Sequence, residues 1–300
     1  MKFTTTLLFL IFFSTTVTSQ FTKQFLNKDE WELSSKIMLL CFKYSDRSAE
    51  ITYNMDRLLK LTTKPDEKLI RTTIDHYYKT ERYDKLKKLL KLASEQNICN
   101  LWKEKYSKEV SISIYSPDCE NSKPTNFSLS QDLATMFLND QSCRGFIHQL
   151  ITDDMKKKGY NVEYDMCLEP NIMHEIDSFN TEKLKAIVNR YGIPEYSNIG
   201  FWGMKGVTTI AIHSNDLTFK EKMLNKLNYA KENGNNITGE SLAILEDKIT
   251  DRNTNTCIYG TQGNTIIKNC DQLDSLRMKM GLWTYSDYIK FNGYKNMCSQ

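Results

Sequence analysis

The stretch GFWGMKGVTTIAIH, residues 200–213, is apolar enough to predict a buried helix. His213 closes this helix, and Ser214, Asn215 and Asp216 follow it directly. A histidine at the mouth of a buried helix is placed to titrate near neutrality or to bind a metal. The alternative is a structural histidine whose positive form is favoured by the helix dipole at a C-terminus.

Amphipathic helices are predicted on both sides of this stretch. Residues 129–157 predict one long helix or two, and Thr181 is predicted to cap a helix that stops at Gly192 before Pro194. Apolar residues at helical spacing predict three more helices, with the stripes Leu224/Leu227/Ala230, Leu242/Leu245/Ile249 and Leu273/Leu276/Met280.

A tetrapeptide with two possible roles, Tyr259-Gly260-Thr261-Gln262, lies between Cys257 and Cys270. The flanking apolar stretches predict a tight β-hairpin, whose strand pairing would bring the two cysteines within disulfide distance. The alternative is a ligand site, because glycine lets the backbone approach a ligand while Tyr259, Thr261 and Gln262 can donate and accept hydrogen bonds.

The N-terminal region predicts consecutive helices joined by short polar turns. Helix starts are indicated at Asn27 and at Thr63-Lys64-Pro65, a short strand at residues 110–114, and a linker at residues 118–125. Three helical stripes support this, Ile51/Met55/Leu58/Leu59, Ile70/Ile74/Tyr77 and Leu86/Leu89/Leu90/Ala93. The predicted fold is mainly α: an N-terminal helical-hairpin bundle over residues 21–125, then an α-rich domain over residues 126–300 with one small β-hairpin.

The first twenty residues have the parts of a secretory signal peptide: Lys2, an apolar run at residues 7–13, and small polar residues to Ser19-Gln20. We therefore expect a secreted protein, extracellular or periplasmic. No later stretch is apolar for long enough to predict a stable membrane span.

The charge balance argues against a nucleic-acid partner. The chain has 40 basic and 37 acidic residues, and loss of Lys2 with the signal leaves 39 against 37, a net charge of +2. All eight cysteines follow the signal, which favours disulfides in a secreted chain. Cys41 with Cys99 is a second predicted pair, and no two cysteines have the spacing of a zinc knuckle. Asn126 and Asn236 begin glycosylation acceptor sequences in a eukaryotic host.

Asp140 and Arg144 lie four residues apart, hence on one helical face. The ordinary interpretation is a surface salt bridge worth about 0.3–0.5 kcal/mol. The functional interpretation has Arg144 bind an anionic ligand group while Asp140 orients it or acts as an acid or base. Asp247 and Arg277, taken singly, are helix-surface charges.

Five stretches together carry a resemblance to the uncharacterised, mostly bacterial family called domain of unknown function 6624, over residues 129–289. They are Asp140-Gln141-x-x-Arg144; Ile176-Asp177-x-x-Asn180 with Tyr191-Gly192-Ile193-Pro194; Ala211-Ile212-His213-Ser214-Asn215; Asp247 with Tyr259-Gly260-Thr261-Gln262; and Leu276-Arg277-x-x-x-Gly281-Leu282. The sequence departs from the family pattern at Asn215, where alanine is usual, and at Lys248, where arginine is common.

The resemblance implies that polar residues from separated segments converge, as expected of an active site. We expect an enzyme, a hydrolase or general acid–base catalyst acting on a small carboxylate or phosphate substrate, with His213, Asp140 and Asp247 as its catalytic residues. The residues expected to bind that ligand are Arg144, Arg277, Gln262, Tyr259 and Thr261. The cofactor is left open, a divalent metal held by His213 with Asp216 or Asp247 being one variant.

The competing hypothesis is a secreted binding module. In that case the same polar groups form an internal hydrogen-bond network, and the N-terminal helices supply the surface for a protein partner.

Overall fold

The structure, a computed structural model, describes residues 25, 27–95, 124–144, 149–163, 172–263 and 265–298. This part of the chain is mainly α, with twelve helices and one two-stranded parallel sheet, which confirms the predicted fold class. The predicted signal peptide, the strand at residues 110–114 and most of the predicted linker lie outside the described residues. None of the described helices is both long enough and apolar enough to span a bilayer.

The helices and strands have the following bounds: α1 Lys28–Lys43, α2 Ser48–Leu61, α3 Glu67–Lys79, α4 Tyr83–Glu95, α5 Phe127–Cys143, α6 Gln149–Lys157, α7 Met173–Tyr191, α8 Tyr196–His213, α9 Leu217–Glu232, α10 Gly239–Thr254, β1 Thr256–Cys257, β2 Ile266–Ile267, α11 Cys270–Lys279 and α12 Tyr285–Asn292. They fall into two compact units. The first contains residues 122–237 and 244–249, and the second contains residues 20–121, 238–243 and 250–300.

In the first unit, α8 is the predicted buried helix, and it packs closely against α5. A Cβ atom added to Gly206 would lie 2.2 Å from the backbone oxygen of Leu133, so the two helix backbones meet where no side chain intervenes. The helix bends at Gly200, which has a positive φ of 63° and separates its first turn from the body. This close packing fixes residues near the end of α5 relative to the end of α8.

The other helices of this unit match the predictions in part. Two helices, α5 and α6, occupy the region predicted as one or two, and α5 begins after Asn126, whose side chain accepts a hydrogen bond from the Leu129 amide. The start predicted at Thr181 is wrong. Helix α7 begins at Met173, and Thr181 lies buried in its interior, where packing overrides the modest helix propensity of threonine. The predicted stop is confirmed, since Gly192 takes a positive φ of 72° at the helix end.

In the second unit, the N-terminal helices share one apolar core with the C-terminal segment. Trp283 is fully buried in the cluster formed by α1 to α4, and the indole nitrogen of Trp31 donates to the backbone oxygen of Leu282 at 2.7 Å. The compact units are drawn differently from the predicted division into residues 21–125 and 126–300, which stays a prediction. Residues 250–298 belong with α1 to α4, because the burial of Trp283 joins segments that are far apart in the sequence.

The small β element is parallel, so the predicted hairpin is wrong. Thr256 pairs with Ile266 and Cys257 with Ile267 in the same direction. The intervening chain turns at Gly260 and at Gly263, both with positive φ, and so brings β2 alongside β1 without reversing it.

The predicted disulfide between Cys257 and Cys270 is also wrong. Cys270 bonds to Cys298, with a Cα–Cα distance of 5.5 Å. Cys257 keeps its thiol inside the apolar cluster. Cys41 keeps its thiol as well, and its predicted partner Cys99 lies outside the described residues. The Cys257–Cys270 prediction failed because it assumed an antiparallel register that would have placed Cys270 opposite Cys257.

Candidate functional site

His213 is the last residue of α8, and its ring meets a buried carboxylate of α5. The Nδ1 atom lies 2.9 Å from Oδ1 and 2.8 Å from Oδ2 of Asp140. Asp140 has no solvent exposure, whereas 18% of the His213 side chain is exposed. An ionised carboxylate only accepts hydrogen bonds, so the proton between the two residues lies on Nδ1.

Two further groups hold Asp140 in place. The side-chain amide of Gln141 donates to Oδ2 of Asp140 at 2.6 Å. Arg144 places Nη1 at 3.2 Å from the backbone oxygen of Asp140 and at 3.5 Å from its Oδ1. Arg144 is also the residue at which α5 ends, where a positive charge is favoured by the helix dipole.

Arg144 in turn forms an ion pair with α7. Its Nη2 atom donates to both carboxylate oxygens of Asp177, each at 2.8 Å. Asp177 is buried, with 5% of its side chain exposed, and it was not among the predicted site residues. The signal that could have identified Asp177 is the motif Asp177-x-x-Asn180, which belongs to the family resemblance but has no role assigned by it.

The pKa shifts favour an ionised aspartate beside a neutral histidine. Burial lowers the pKa of His213, against the opposing effect of the Asp140 carboxylate, and the charges of Lys248 and Arg144 lower it further. Burial acts to raise the pKa of Asp140, but the hydrogen bonds from His213 and Gln141 and the charges of His213 and Arg144 outweigh it and hold that pKa below its usual value. Burial raises the pKa of Asp177 despite the hydrogen bonds from Arg144.

With Nδ1 protonated toward Asp140, the other ring nitrogen, Nε2, is the basic atom of His213. Within the described part of the chain, Nε2 makes no hydrogen bond. The arrangement can therefore accept a proton at Nε2 while Asp140 stabilises the imidazolium that forms.

Two neighbouring residues of α10 lie in the same unit as this site. Lys248 is close enough to His213 for its charge to lower the pKa of the ring. The preceding residue, Asp247, is fully buried in the same unit.

The metal variant is not supported by the described residues. Asp216 caps α9, with Oδ1 accepting from the Phe219 amide, and its Oδ2 lies 2.8 Å from the Lys185 ammonium. Nowhere in the described ranges do three or more residues of the metal-binding types form a group that could hold an ion.

The remaining predicted residues lie in the second unit, around Arg277. Arg277 is fully buried. Its Nε donates to the backbone oxygen of Trp283 at 2.7 Å, its Nη1 donates to the backbone oxygen of Tyr259, and its guanidinium lies 4.7 Å from the ring centre of Tyr288. The predicted anion-binding role of Arg277 is not supported, because the guanidinium has no exposed surface and binds main-chain oxygens instead.

The tetrapeptide itself is held by packing. Tyr259 is buried, and the Tyr288 hydroxyl donates to the backbone oxygen of Thr261 at 3.2 Å. A Cβ atom on Gly260 would lie 2.8 Å from the Tyr285 ring. Gln262 is half-buried and donates to the Thr261 hydroxyl at 3.1 Å. The structure thus groups Asp140, Arg144 and His213 in one unit, and Tyr259, Thr261, Gln262 and Arg277 in the other.

Comparison with known proteins supplies one match. The model of a family of unknown function, DUF6624, matches residues 128–294, more than half of the 300-residue chain. The chain belongs to this family. The DUF6624 match confirms the resemblance, includes both groups of polar residues, and leaves α1 to α4 outside it. No curated protein and no solved structure matches the chain.

Proposed function

We propose that the protein is a general acid–base enzyme, of hydrolase type, that acts on a small anionic substrate. The observation that carries this proposal is the contact of the His213 Nδ1 atom with both oxygens of the buried Asp140. A buried carboxylate that fixes one ring nitrogen leaves the other oriented and basic, which is the arrangement that general-base catalysis requires.

The anionic substrate class is supported by charge. Lys248 and Arg144 both lie close enough to lower the pKa of His213, so the surroundings of the ring contribute two positive charges. Arg144 is ion-paired with Asp140 and Asp177, and Lys248 adds a second positive charge near the ring. A carboxylate or phosphate beside His213 would be stabilised by this charge, and so would negative charge that develops during reaction.

The test is turnover of chromogenic phosphate monoesters, phosphate diesters and carboxylic esters by the wild-type protein and three variants. His213→Gln and Asp140→Asn are expected to lower kcat/KM by about 10²-fold or more, the usual contribution of a general base. His174→Gln, at an exposed histidine on α7, is the matched control and should leave it unchanged. Turnover that survives in His213→Gln would overturn the proposal.

The second candidate is a non-catalytic binding module, and the interior position of Arg277 favours it. Arg277 belonged to the predicted ligand-binding set, yet it serves main-chain oxygens, as a structural network would. This function predicts no turnover of any ester in the panel, together with binding of an anion or protein that survives in His213→Gln. The N-terminal helices would supply the partner surface.

We also propose that the protein is exported. The N-terminal sequence has the parts of a signal peptide, and the Cys270–Cys298 disulfide suits an oxidising compartment. Expression in a secreting host followed by N-terminal sequencing should give a first residue close to Gln20 or Phe21. Recovery of the product with Met1 still attached would contradict export by cleavage.

A further inference from the structure

Asp177 is a buried carboxylate for which the proposed proton transfer gives no role. It projects from α7, and both of its oxygens accept from the same nitrogen of Arg144. The opposite side of the guanidinium faces Asp140, through Nη1. Arg144 therefore bridges two buried carboxylates that come from two different helices, and only 13% of its side chain is exposed.

We propose that Asp177 is a positioning residue for the Asp140–His213 pair and acts on that pair through Arg144. This inference rests on the proposed function only for its importance to catalysis, since the geometry stands independently of any reaction. The chain of contacts runs from α7 through Arg144 at the end of α5 to Asp140 and then to His213 at the end of α8.

Without Asp177, Arg144 has one buried carboxylate left to neutralise it, and that carboxylate is Asp140. A guanidinium in low-dielectric surroundings binds the nearest carboxylate strongly. Arg144 would then compete with His213 for the oxygens of Asp140. Asp177 prevents this competition because it binds Nη2 and holds Nη1 at 3.5 Å from the carboxylate oxygen Oδ1 of Asp140.

The charged groups around His213 come from every helix that packs at this end of α8. Asp140 lies on α5 and Arg144 caps its C-terminus, Asp177 lies on α7 and Lys248 on α10, while Asp216, which caps α9, is ion-paired with Lys185. Asp177 and Arg144 form one ion pair, and removal of either changes the charge near the ring without removing its direct partner, Asp140. Removal of Asp177 and removal of Arg144 should shift the pKa of His213 in opposite directions, and this difference can be measured.

The experiment is an NMR pH titration of His213 in the full chain, in wild type and in variants of the pair. Arg144→Gln removes a positive charge and is expected to raise the pKa of His213 by about half a pH unit or more. Asp177→Asn removes a negative charge, frees Arg144 to approach Asp140, and is expected to lower it by a similar amount. The double variant removes both charges and should return the pKa close to the wild-type value.

Two controls keep the outcome interpretable. Lys185→Gln removes the cation of the partly exposed ion pair between Lys185 on α7 and Asp216, and should shift the pKa by less than about 0.2 units, since solvent screens such charges. If Asp177→Asn does not fold, Asp177→Glu, which keeps the charge, should fold and keep a wild-type pKa. The double variant is also expected to fold better than either single one, because no buried charge is left unpaired.

A purely structural ion pair predicts a different pattern. Each single variant would then lose stability, and the pKa of His213 would not move or would move in the same direction in both; either result overturns the inference. Opposite shifts of the His213 pKa in the two single variants, without turnover of any substrate, would overturn the proposed function and support the role of Asp177. Turnover that depends on His213, with no pKa shift in Asp177→Asn, would support the proposed function and overturn the role of Asp177.

Discussion

The polar cluster around His213 in the first unit and the one around Arg277 in the second are both built from residues of the DUF6624 match, yet they differ in what their polar atoms contact. In the first, side chains contact side chains: Asp140 meets the imidazole and Arg144 meets Asp177. In the second, Arg277 contacts the main-chain oxygens of Tyr259 and Trp283 and the faces of two tyrosine rings. The first cluster keeps part of its histidine exposed, whereas Arg277 has no exposure.

Polar residues that belong to the same family match therefore do not all have the same role. A guanidinium that binds main-chain oxygens fixes the course of a loop. A carboxylate that binds one nitrogen of a partly exposed imidazole holds the ring proton on that nitrogen and leaves the other nitrogen basic. We therefore assign the cluster around Arg277 to stability and propose the cluster around His213 for chemistry.

The largest expected effect is on stability, at Arg277. Arg277→Met leaves two buried carbonyl oxygens without their donor and should cost about 3–5 kcal/mol in the free energy of unfolding. Urea unfolding measures it, with Arg252→Met, at an exposed arginine of the same unit, as the control. His213→Gln should cost only about 1 kcal/mol, because the glutamine amide can still donate to Asp140. Equal losses in the free energy of unfolding for Arg277→Met and His213→Gln would contradict the assignment of the Arg277 cluster to stability and the His213 cluster to chemistry.

The next largest effect concerns the disulfide of the second unit. Cys298→Ser opens a bridge whose cysteines are 28 residues apart in the sequence and should cost about 3 kcal/mol. Thermal unfolding of the variant should occur at a lower temperature than that of the oxidised wild type. Peptide mapping under non-reducing conditions is expected to show Cys270 linked to Cys298. A peptide that links Cys257 to Cys270 would instead restore the pairing predicted from the sequence.

A smaller effect is expected at the helix contact that supports the His213 cluster. Gly206→Ala places a methyl group against the backbone of Leu133, so α5 and α8 must separate, at a cost of about 1–3 kcal/mol. Because Asp140 and His213 lie on these two helices, the variant should also weaken their hydrogen bond. Asn189→Ala, on the exposed face of α7, is the control and should be neutral. Wild-type stability in Gly206→Ala would show that the helices do not pack as closely as described.

The smallest effect is a pH dependence of stability that arises from His213. The folded pKa lies below the unfolded value of about 6.5, so the unfolded chain takes up a proton first as the pH falls. Stability is therefore expected to fall from about pH 6.5 downward, and to fall less in His213→Gln, which cannot titrate. Parallel urea titrations from pH 7.5 to 5.5 measure the difference. Greater stability of the wild type at the lower pH would mean that the histidine is protonated in the fold.

Much of the fold was predictable because helical periodicity is a local property. The buried helix that ends at His213 and the stop at Gly192 followed from residues that are neighbours in the sequence. The register of β1 and β2 did not follow, because it depends on the conformations of Gly260 and Gly263, which local patterns leave open. The association of residues 250–298 with α1 to α4 was equally inaccessible, since it depends on where Trp283 is buried.

The candidate site was predictable as a set of residues and unpredictable as a geometry. The four-residue spacing placed Asp140 and Arg144 on one face of a helix, and the apolar run placed His213 at a helix end. Their burial was missed, because an aspartate and an arginine four residues apart are usually on the surface. Asp177 was missed because its role depends on α7 packing next to Arg144, which no spacing in the sequence encodes.

The most direct test of the proposed general-base role of His213 is the tautomer of its ring, measured by long-range proton–nitrogen NMR correlations at pH 7. The chain has only four histidines, so His213→Gln assigns the signal by its absence. We predict a neutral ring with the proton on Nδ1 and an unprotonated Nε2, and a change to the Nε2-protonated tautomer in Asp140→Asn would support it further. A wild-type ring that carries its proton on Nε2, or one that is doubly protonated at pH 7, would contradict the proposed role of Nε2 as the general base.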